Sequence, residues 1–144
     1  MFTEFHQTAG KRNYPMRCIQ TKRFGYIFNP WSDGERIFRN ESQAGRTMKA
    51  MREGAQTSDR IADRVNLFLY RVPEEFYDFE KDPDALNNLA GDQNYSAELN
   101  SLRLELENWM EQTGDPALKA FRNRDHKERL EDFMKETALD LGGE

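Results

Sequence analysis

The side chains that could act as nucleophiles or general bases are few in this 144-residue chain. It contains one cysteine, Cys18, and two histidines, His6 and His126. A nucleophile needs a base within hydrogen-bond reach, and neither histidine has a second histidine or a carboxylate at the spacing of a metal site. The residues themselves therefore indicate no catalytic constellation. We expect Cys18 to be a small buried hydrophobe in a strand and both histidines to lie at the surface.

Carboxylates at alternate positions form a second pattern with chemical potential. They are Asp78, Glu80, Asp82 and Asp84. Such spacing is found in calcium loops, but this segment lacks the glycine and the closing glutamate of an EF-hand. The pattern therefore predicts a solvated turn.

The charge is unevenly distributed along the chain. Residues 1–60 contain 11 Lys/Arg and 6 Asp/Glu, so this half is basic. Residues 61–144 contain 10 Lys/Arg and 20 Asp/Glu, so this half is acidic and the overall net charge is −5. A basic first half suits an anionic ligand, namely a nucleic acid, a sulfated or phosphorylated sugar, or an acidic protein face. An ordinary solvated surface is the alternative. Nucleic acid is disfavoured, because the chain has no known nucleic-acid motif and an acidic pI of about 5.2.

Length and composition favour one folded domain with a modest core. Leu, Ile, Val and Phe make up 28 of 144 residues, but the net charge is small and 17 residues are aromatic. We expect a core that a partner could complete. No apolar run approaches the roughly 20 residues of a membrane span, and a single cysteine excludes an internal disulfide.

The first half of the chain predicts a hairpin followed by two helices. Residues 1–13 lack periodicity and are expected to form a leader loop. Residues 15–30 alternate and contain aromatic and β-branched side chains, as strands do. Residues 41–56 have helical spacing, and a second helix begins at Ser58 or Asp59 and stops before Pro73.

The second half predicts a short strand over 75–79 and then mostly helix. Asp82-Pro83 is typical of the start of a helical turn. Residues 95–112 carry one apolar stripe and can end at Gly114. A short helix through Phe121 and a last amphipathic helix follow, the latter with Leu130, Phe133, Met134 and Leu141 on one face. Together these elements predict an α+β domain, a small antiparallel sheet of about four strands with helices on one face.

Several short segments follow one another in a fixed order. The first are Tyr14-Pro15-Met16-Arg17, Thr21-Lys22-Arg23 and Tyr26-Ile27-Phe28-Asn29. The segment from Glu75 to Leu89 comes next, and then a helix that ends at Thr113-Gly114-Asp115-Pro116. In this order the segments resemble the C-terminal subdomain of sulfatases, whose E-[LF]-Y-D-x-x-x-D-P-x-x-x-x-N-L signature is similar to the segment from Glu75 to Leu89.

The resemblance covers roughly residues 4–124 and points most closely to the N-sulfoglucosamine sulfohydrolase (heparan N-sulfatase) branch. It implies a leader loop over 1–13, the α+β subdomain over 14–124 with a helical insertion at about 41–70, and a C-terminal helix over 125–144. The strand that carries Glu75 is an architectural signature of the family rather than a catalytic one.

The resemblance also implies that the catalytic machinery lies outside this chain. Sulfatases convert the Cys or Ser of a C/S-x-P-x-R motif to formylglycine and polarise the sulfate with calcium, both in a large N-terminal domain. Cys18 does not fit that motif, because Gln20 and Lys22 stand where proline and arginine are required. We therefore expect no catalytic residue, metal or cofactor in this chain, which should be inactive alone.

The partners implied are the catalytic domain of a parent hydrolase and, through it, an anionic sulfated sugar. His6, Gln7 and Arg17 are the candidates for one wall of the substrate cleft. The face that docks the catalytic domain could also support a dimer, whereas neither nucleic acid nor membrane is expected. The parent would be periplasmic, secreted or lysosomal. The alternative is a stand-alone module that binds sulfated glycans.

Overall fold

The computed structural model describes residues 1–140, with the side chains of residues 139 and 140 left out of the description. It is an α+β fold with a four-stranded antiparallel sheet, as expected. The strands lie in the sheet in chain order. They are β1 (Phe2–Gln7), β2 (Asn13–Gln20), β3 (Phe24–Phe28) and β4 (Glu74–Asp78).

Five α-helices accompany the sheet within these residues. Two precede β4 and three follow it. They are α1 (Arg46–Gly54), α2 (Asp59–Tyr70), α3 (Ser96–Thr113), α4 (Leu118–Arg122) and α5 (Lys127–Asp140). Short 3-10 turns at Glu41–Ala44 and Gln93–Tyr95 lead into α1 and α3.

The predicted boundaries of the long helices are confirmed where the chain carries clear capping residues. Ser58 precedes α2 in an extended conformation. Gly114 ends α3 with φ 66°, a left-handed conformation that glycine adopts without steric cost. The stripe expected on α3 is buried, at Leu99, Leu102 and Leu106. Local sequence signals therefore determined where these helices begin and end.

One face of the sheet packs against α3, α4 and α5 and forms the main core. Tyr26 and Phe28 of β3 are fully buried there. The ring of Phe121 in α4 meets Phe28 edge-on, with 5.1 Å between ring centroids. The apolar face of α5, with Leu130, Phe133 and Met134, closes this core.

The opposite face of the sheet is covered by the hairpin of α1 and α2, so helices lie on both faces and the expectation of helices on one face only is wrong. Cys18, Ile27 and Glu75 are aligned across β2, β3 and β4 and belong to this second face. The hairpin buries little, since Met48 and Val65 are its buried residues. Helical spacing of apolar residues predicts that these two segments are helices, but it does not specify which face of the sheet they cover.

The structure also differs from the expectations for residues 1–13 and for the turn at Asp82-Pro83. The leader loop expected over 1–13 is wrong for Phe2–Gln7, which forms β1 and pairs with β2. All six of its residues are exposed. Contacts with distant segments hold it in place, namely its backbone pairing with β2 and the stacking of the Phe2 ring on Trp109 of α3, with 5.2 Å between ring centroids. The turn at Asp82-Pro83 is a single hydrogen-bonded turn, with the Ala85 N–H donating to the Asp82 carbonyl, and it does not continue as helix. Leu141 lies outside the described residues.

Candidate functional site

Arg17, expected to line a substrate cleft, is instead buried in an ion pair. Its guanidinium donates two hydrogen bonds to the Asp115 carboxylate, and the two side chains are 1% and 2% exposed. A third N–H donates to the Met16 carbonyl at 2.9 Å. This joins the Tyr14-Pro15-Met16-Arg17 segment of β2 to the Asp115-Pro116 start of α4. The guanidinium is used for structure, and it is inaccessible to a substrate in this conformation.

A second buried polar cluster surrounds Glu75 of β4, whose side chain is fully buried. Its carboxylate accepts hydrogen bonds from Asn29 (2.8 Å), Arg71 (2.7 Å) and the Tyr77 hydroxyl (2.8 Å). Burial and then the negative charge of Glu75 raise the pKa of Tyr77. The Asn29 amide also donates to the Val72 carbonyl at 2.9 Å, which fixes the entry to β4.

Arg71 is held in an unusual backbone conformation at the end of α2. Its φ of 52° lies in the left-handed region, which is unfavourable for a residue with a Cβ. The ion pair with Glu75 compensates by fixing the side chain across the junction between α2 and β4. The insertion formed by α1 and α2 is thus attached to the sheet through one buried carboxylate.

A third cluster is centred on Asp78, at the end of β4. Arg23, in the turn between β2 and β3, donates two hydrogen bonds to its carboxylate, at 3.2 and 2.8 Å. The Tyr95 hydroxyl, just before α3, donates a third at 3.3 Å. The hydrogen bonds from Arg23 are the main reason that the pKa of Asp78 falls to about 2. The cluster connects the β2–β3 turn, β4 and the start of α3.

These three clusters contain several of the polar residues in the matching segments. Arg17, Asn29 and Glu75 are all buried and bonded to other elements. None of the clusters presents a nucleophile beside a base, and each satisfies its own charge. Their chemistry is structural: each carboxylate fixes the position of two or three chain segments.

His6 and Gln7, the other two residues expected at a cleft wall, lie on the exposed strand β1. His6 is 3.7 Å from the Glu4 carboxylate on the same strand. Gln7 is paired with Asn13 after an irregularity in the β1–β2 register. The structure therefore leaves the side chains of His6 and Gln7 accessible, whereas Arg17 on the neighbouring strand is buried.

The outer edge of β1 carries backbone groups that no other strand of residues 1–140 pairs with. Met1 and Gln20 exchange both backbone hydrogen bonds, at 2.8 Å each. In an antiparallel ladder the bonded pairs alternate, so the N–H and C=O of Phe2 and Glu4 are directed towards the free edge. An edge of this kind is a ready site for strand pairing with another chain or domain.

A groove of about 550 Å³ separates the second face of the sheet from the α1–α2 hairpin. We call it the hairpin groove. Its walls are mostly apolar, and burial raises the pKa of the Cys18 thiol within it. The residues that form it include Cys18, Ile27 and Tyr77 from the sheet and Met48, Met51, Leu67 and Phe68 from the hairpin. The sequence did not indicate this groove, since it depends on how the hairpin folds over the sheet.

Residues 1–140 contain neither a metal-binding cluster nor a membrane-spanning helix. No three or more His, Cys, Asp or Glu side chains of this part lie together in a way that could hold a metal ion. No helix of the described residues has the length and apolarity needed to cross a membrane.

Two comparisons with known proteins found no match. No protein-family model matches the chain, and no curated protein is significantly similar to it.

Proposed function

We propose that this chain is the C-terminal, non-catalytic part of a sulfatase, a hydrolase of sulfate esters or sulfamates on a sugar. In this role it packs on the catalytic domain and forms one wall of the substrate cleft. Formylglycine and calcium belong to the catalytic domain, and this chain contributes no catalytic residue.

The observation that carries the proposal is the position of the residues in the matching segments. Arg17 and Asp115, 98 positions apart, come from two of these segments and bind each other in the core. Asn29 and Glu75 come from two others and are also hydrogen-bonded to each other. Distant motifs that contact each other in this way are expected of a preserved architecture, whereas chance resemblances have no reason to meet.

Two surfaces are available for the catalytic domain. The first is the free edge of β1 with the exposed side chains of Phe2 and Phe5. The second is the hairpin groove, whose apolar walls are incompletely covered by the chain itself. Exposed apolar surface of this kind is typical of a protein interface. His6 and Gln7 lie on β1, and docking along this strand would place them beside the cleft.

The decisive experiment is to sequence the source DNA upstream of the Met1 codon. The proposal requires an open reading frame that continues upstream and encodes C/S-x-P-x-R. The longer protein should then hydrolyse a sulfated substrate, and this chain alone should not. In that protein His6→Ala and Gln7→Ala should raise KM, whereas His126→Ala, at an exposed site between α4 and α5, should not. A stop codon immediately before Met1 would overturn the proposal.

The alternative is a stand-alone module that binds sulfated glycans. The excess of basic residues in positions 1–60 favours it. A complete gene starting at Met1, together with binding of a sulfated oligosaccharide by this chain, would support the module over the subdomain.

A further inference from the structure

The arginines of the basic first half differ from those of the second half in their pairing. Among residues 61–144, the arginines with ion pairs are Arg71, Arg103, Arg122 and Arg124. Among residues 1–60, Arg17 and Arg23 form ion pairs. The other arginines of the first half have no acidic partner among the described side chains. Their charges remain available for an external anion.

Three of these arginines lie around one cleft. Arg12 follows the β1–β2 turn, and Arg36 and Arg39 belong to the segment between β3 and α1. Together they line an open cleft of about 490 Å³ that has no acidic residue among its described lining residues. Asp33 accepts the backbone N–H of Arg36 at 2.6 Å but forms no ion pair with its guanidinium. We call this cleft the arginine cleft.

The backbone around the arginine cleft is fixed in the absence of a ligand. The Tyr14 hydroxyl donates to the Ile37 carbonyl at 2.9 Å and accepts the Arg39 N–H at 3.1 Å. The Tyr14 ring is buried, so this contact holds the segment that carries two of the arginines against β2. Across the cleft, the Arg12 carbonyl accepts the Thr8 N–H at 3.0 Å. Only the side chains need to be ordered when an anion binds, which keeps the entropic cost low.

We infer that the arginine cleft binds a segment of a sulfated sugar chain that carries two or more sulfate groups. Guanidinium groups bind oxyanions through paired N–H donors. Three guanidiniums that line one cleft favour a ligand that carries several negative charges. The open cleft suits a chain that passes along the surface better than a small enclosed molecule. The choice of a sulfated sugar over other polyanions rests on the proposed function.

The test is isothermal titration calorimetry of this chain with a heparin-derived hexasaccharide, at low salt and at about 0.15 M salt. The cleft variant is R12Q/R36Q/R39Q. The matched control is R46Q/R52Q/R60Q, which removes the same charge from exposed arginines of the α1–α2 hairpin. We expect the control to bind within about twofold of the unmodified chain and the cleft variant to bind about tenfold or more weakly. Circular dichroism establishes that both variants are folded.

Three results would overturn the inference. They are no binding by the unmodified chain, equal losses in the two triple variants, and equally tight binding of inorganic polyphosphate or single-stranded DNA. The last result would identify a general polyanion site instead of a sugar site. Because the proposed function is tested by the upstream reading frame and by hydrolysis, its failure is distinguishable from the failure of this inference.

Discussion

The Arg17 guanidinium and the Asp115 carboxylate form a buried, two-point ion pair that joins strand β2 to the start of helix α4. The second carboxylate oxygen of the pair, at 2.8 Å from Arg17 Nη2, also accepts the Ala117 N–H at 2.8 Å. A charge buried this deeply is tolerated because every donor and acceptor has a partner. The pair fixes the position of α4, and with it Phe121, against the sheet.

Removal of one partner should be strongly destabilising. Arg17→Met leaves the Asp115 carboxylate buried without its cation, which should lower the free energy of unfolding by about 3–5 kcal/mol. Urea denaturation followed by circular dichroism measures this loss. The matched control is Arg129→Met on α5, an exposed arginine with no described ion pair, which should change stability by less than about 0.5 kcal/mol.

The double variant R17M/D115L separates the charge effect from a packing effect. With both charges removed, the penalty for an unpaired buried ion disappears, so the double variant should be more stable than Arg17→Met alone. If the double variant is no more stable than the single one, the ion pair is not what holds α4 in place.

The hydroxyl of Tyr77 should contribute measurably to stability through Glu75. Tyr77→Phe keeps the buried ring but removes a hydrogen bond to a buried carboxylate, so unfolding should become easier by about 1.5–3 kcal/mol. The half-buried Tyr70 provides the control. Its hydrogen bond with Ser32 uses the backbone carbonyl of Tyr70, so Tyr70→Phe leaves this hydrogen bond in place. Thermal unfolding should show a clear loss for Tyr77→Phe and little change for Tyr70→Phe.

The pKa of Asp78 predicts how stability depends on acid pH. The folded pKa is about 2, lowered first by the hydrogen bonds from Arg23, whereas an unfolded aspartate has a pKa of about 3.9. The unfolded chain therefore binds the proton first, so this contribution is complete above about pH 4 and is lost as the pH falls towards 2. Unfolding free energies measured across this range should decline.

Asp78→Asn tests which carboxylate is responsible for that decline. The variant cannot gain a proton at this position, so the slope between about pH 4 and pH 2 should become shallower than in the unmodified chain. Asp84→Asn, at an exposed site, is the control and should leave the slope unchanged. An unchanged slope in Asp78→Asn would contradict the assignment.

The rate at which Cys18 is labelled should measure how accessible the hairpin groove is. Burial raises the pKa of the Cys18 thiol, so labelling by iodoacetamide should be slower than for a free cysteine, because a smaller fraction of the thiol is thiolate. The rate should return to that of a free cysteine in concentrated urea. If a catalytic domain fills the groove, the longer protein should protect Cys18 further, and equal rates in the two proteins would contradict docking at this surface.

The sequence by itself determined the fold class and the elements with strong local signals. The periodic apolar stripe of α3 predicted its helix, and Gly114 its end, because both effects act over a few residues. The strand predicted over 75–79 is observed as β4, Glu74–Asp78. The contacts of Arg17, Asn29 and Glu75 were not predicted from the sequence.

Only the tertiary structure decided how distant segments meet. β1 has no alternating pattern, so its place in the sheet depends on backbone pairing with β2. Arg17 was a candidate for the wall of a substrate cleft, and its burial against Asp115, 98 positions away, depends on how the segment before α4 docks on the sheet. The hairpin groove and the arginine cleft likewise arise where separate segments approach each other. Such contacts depend on long-range packing, which local propensity and spacing do not encode.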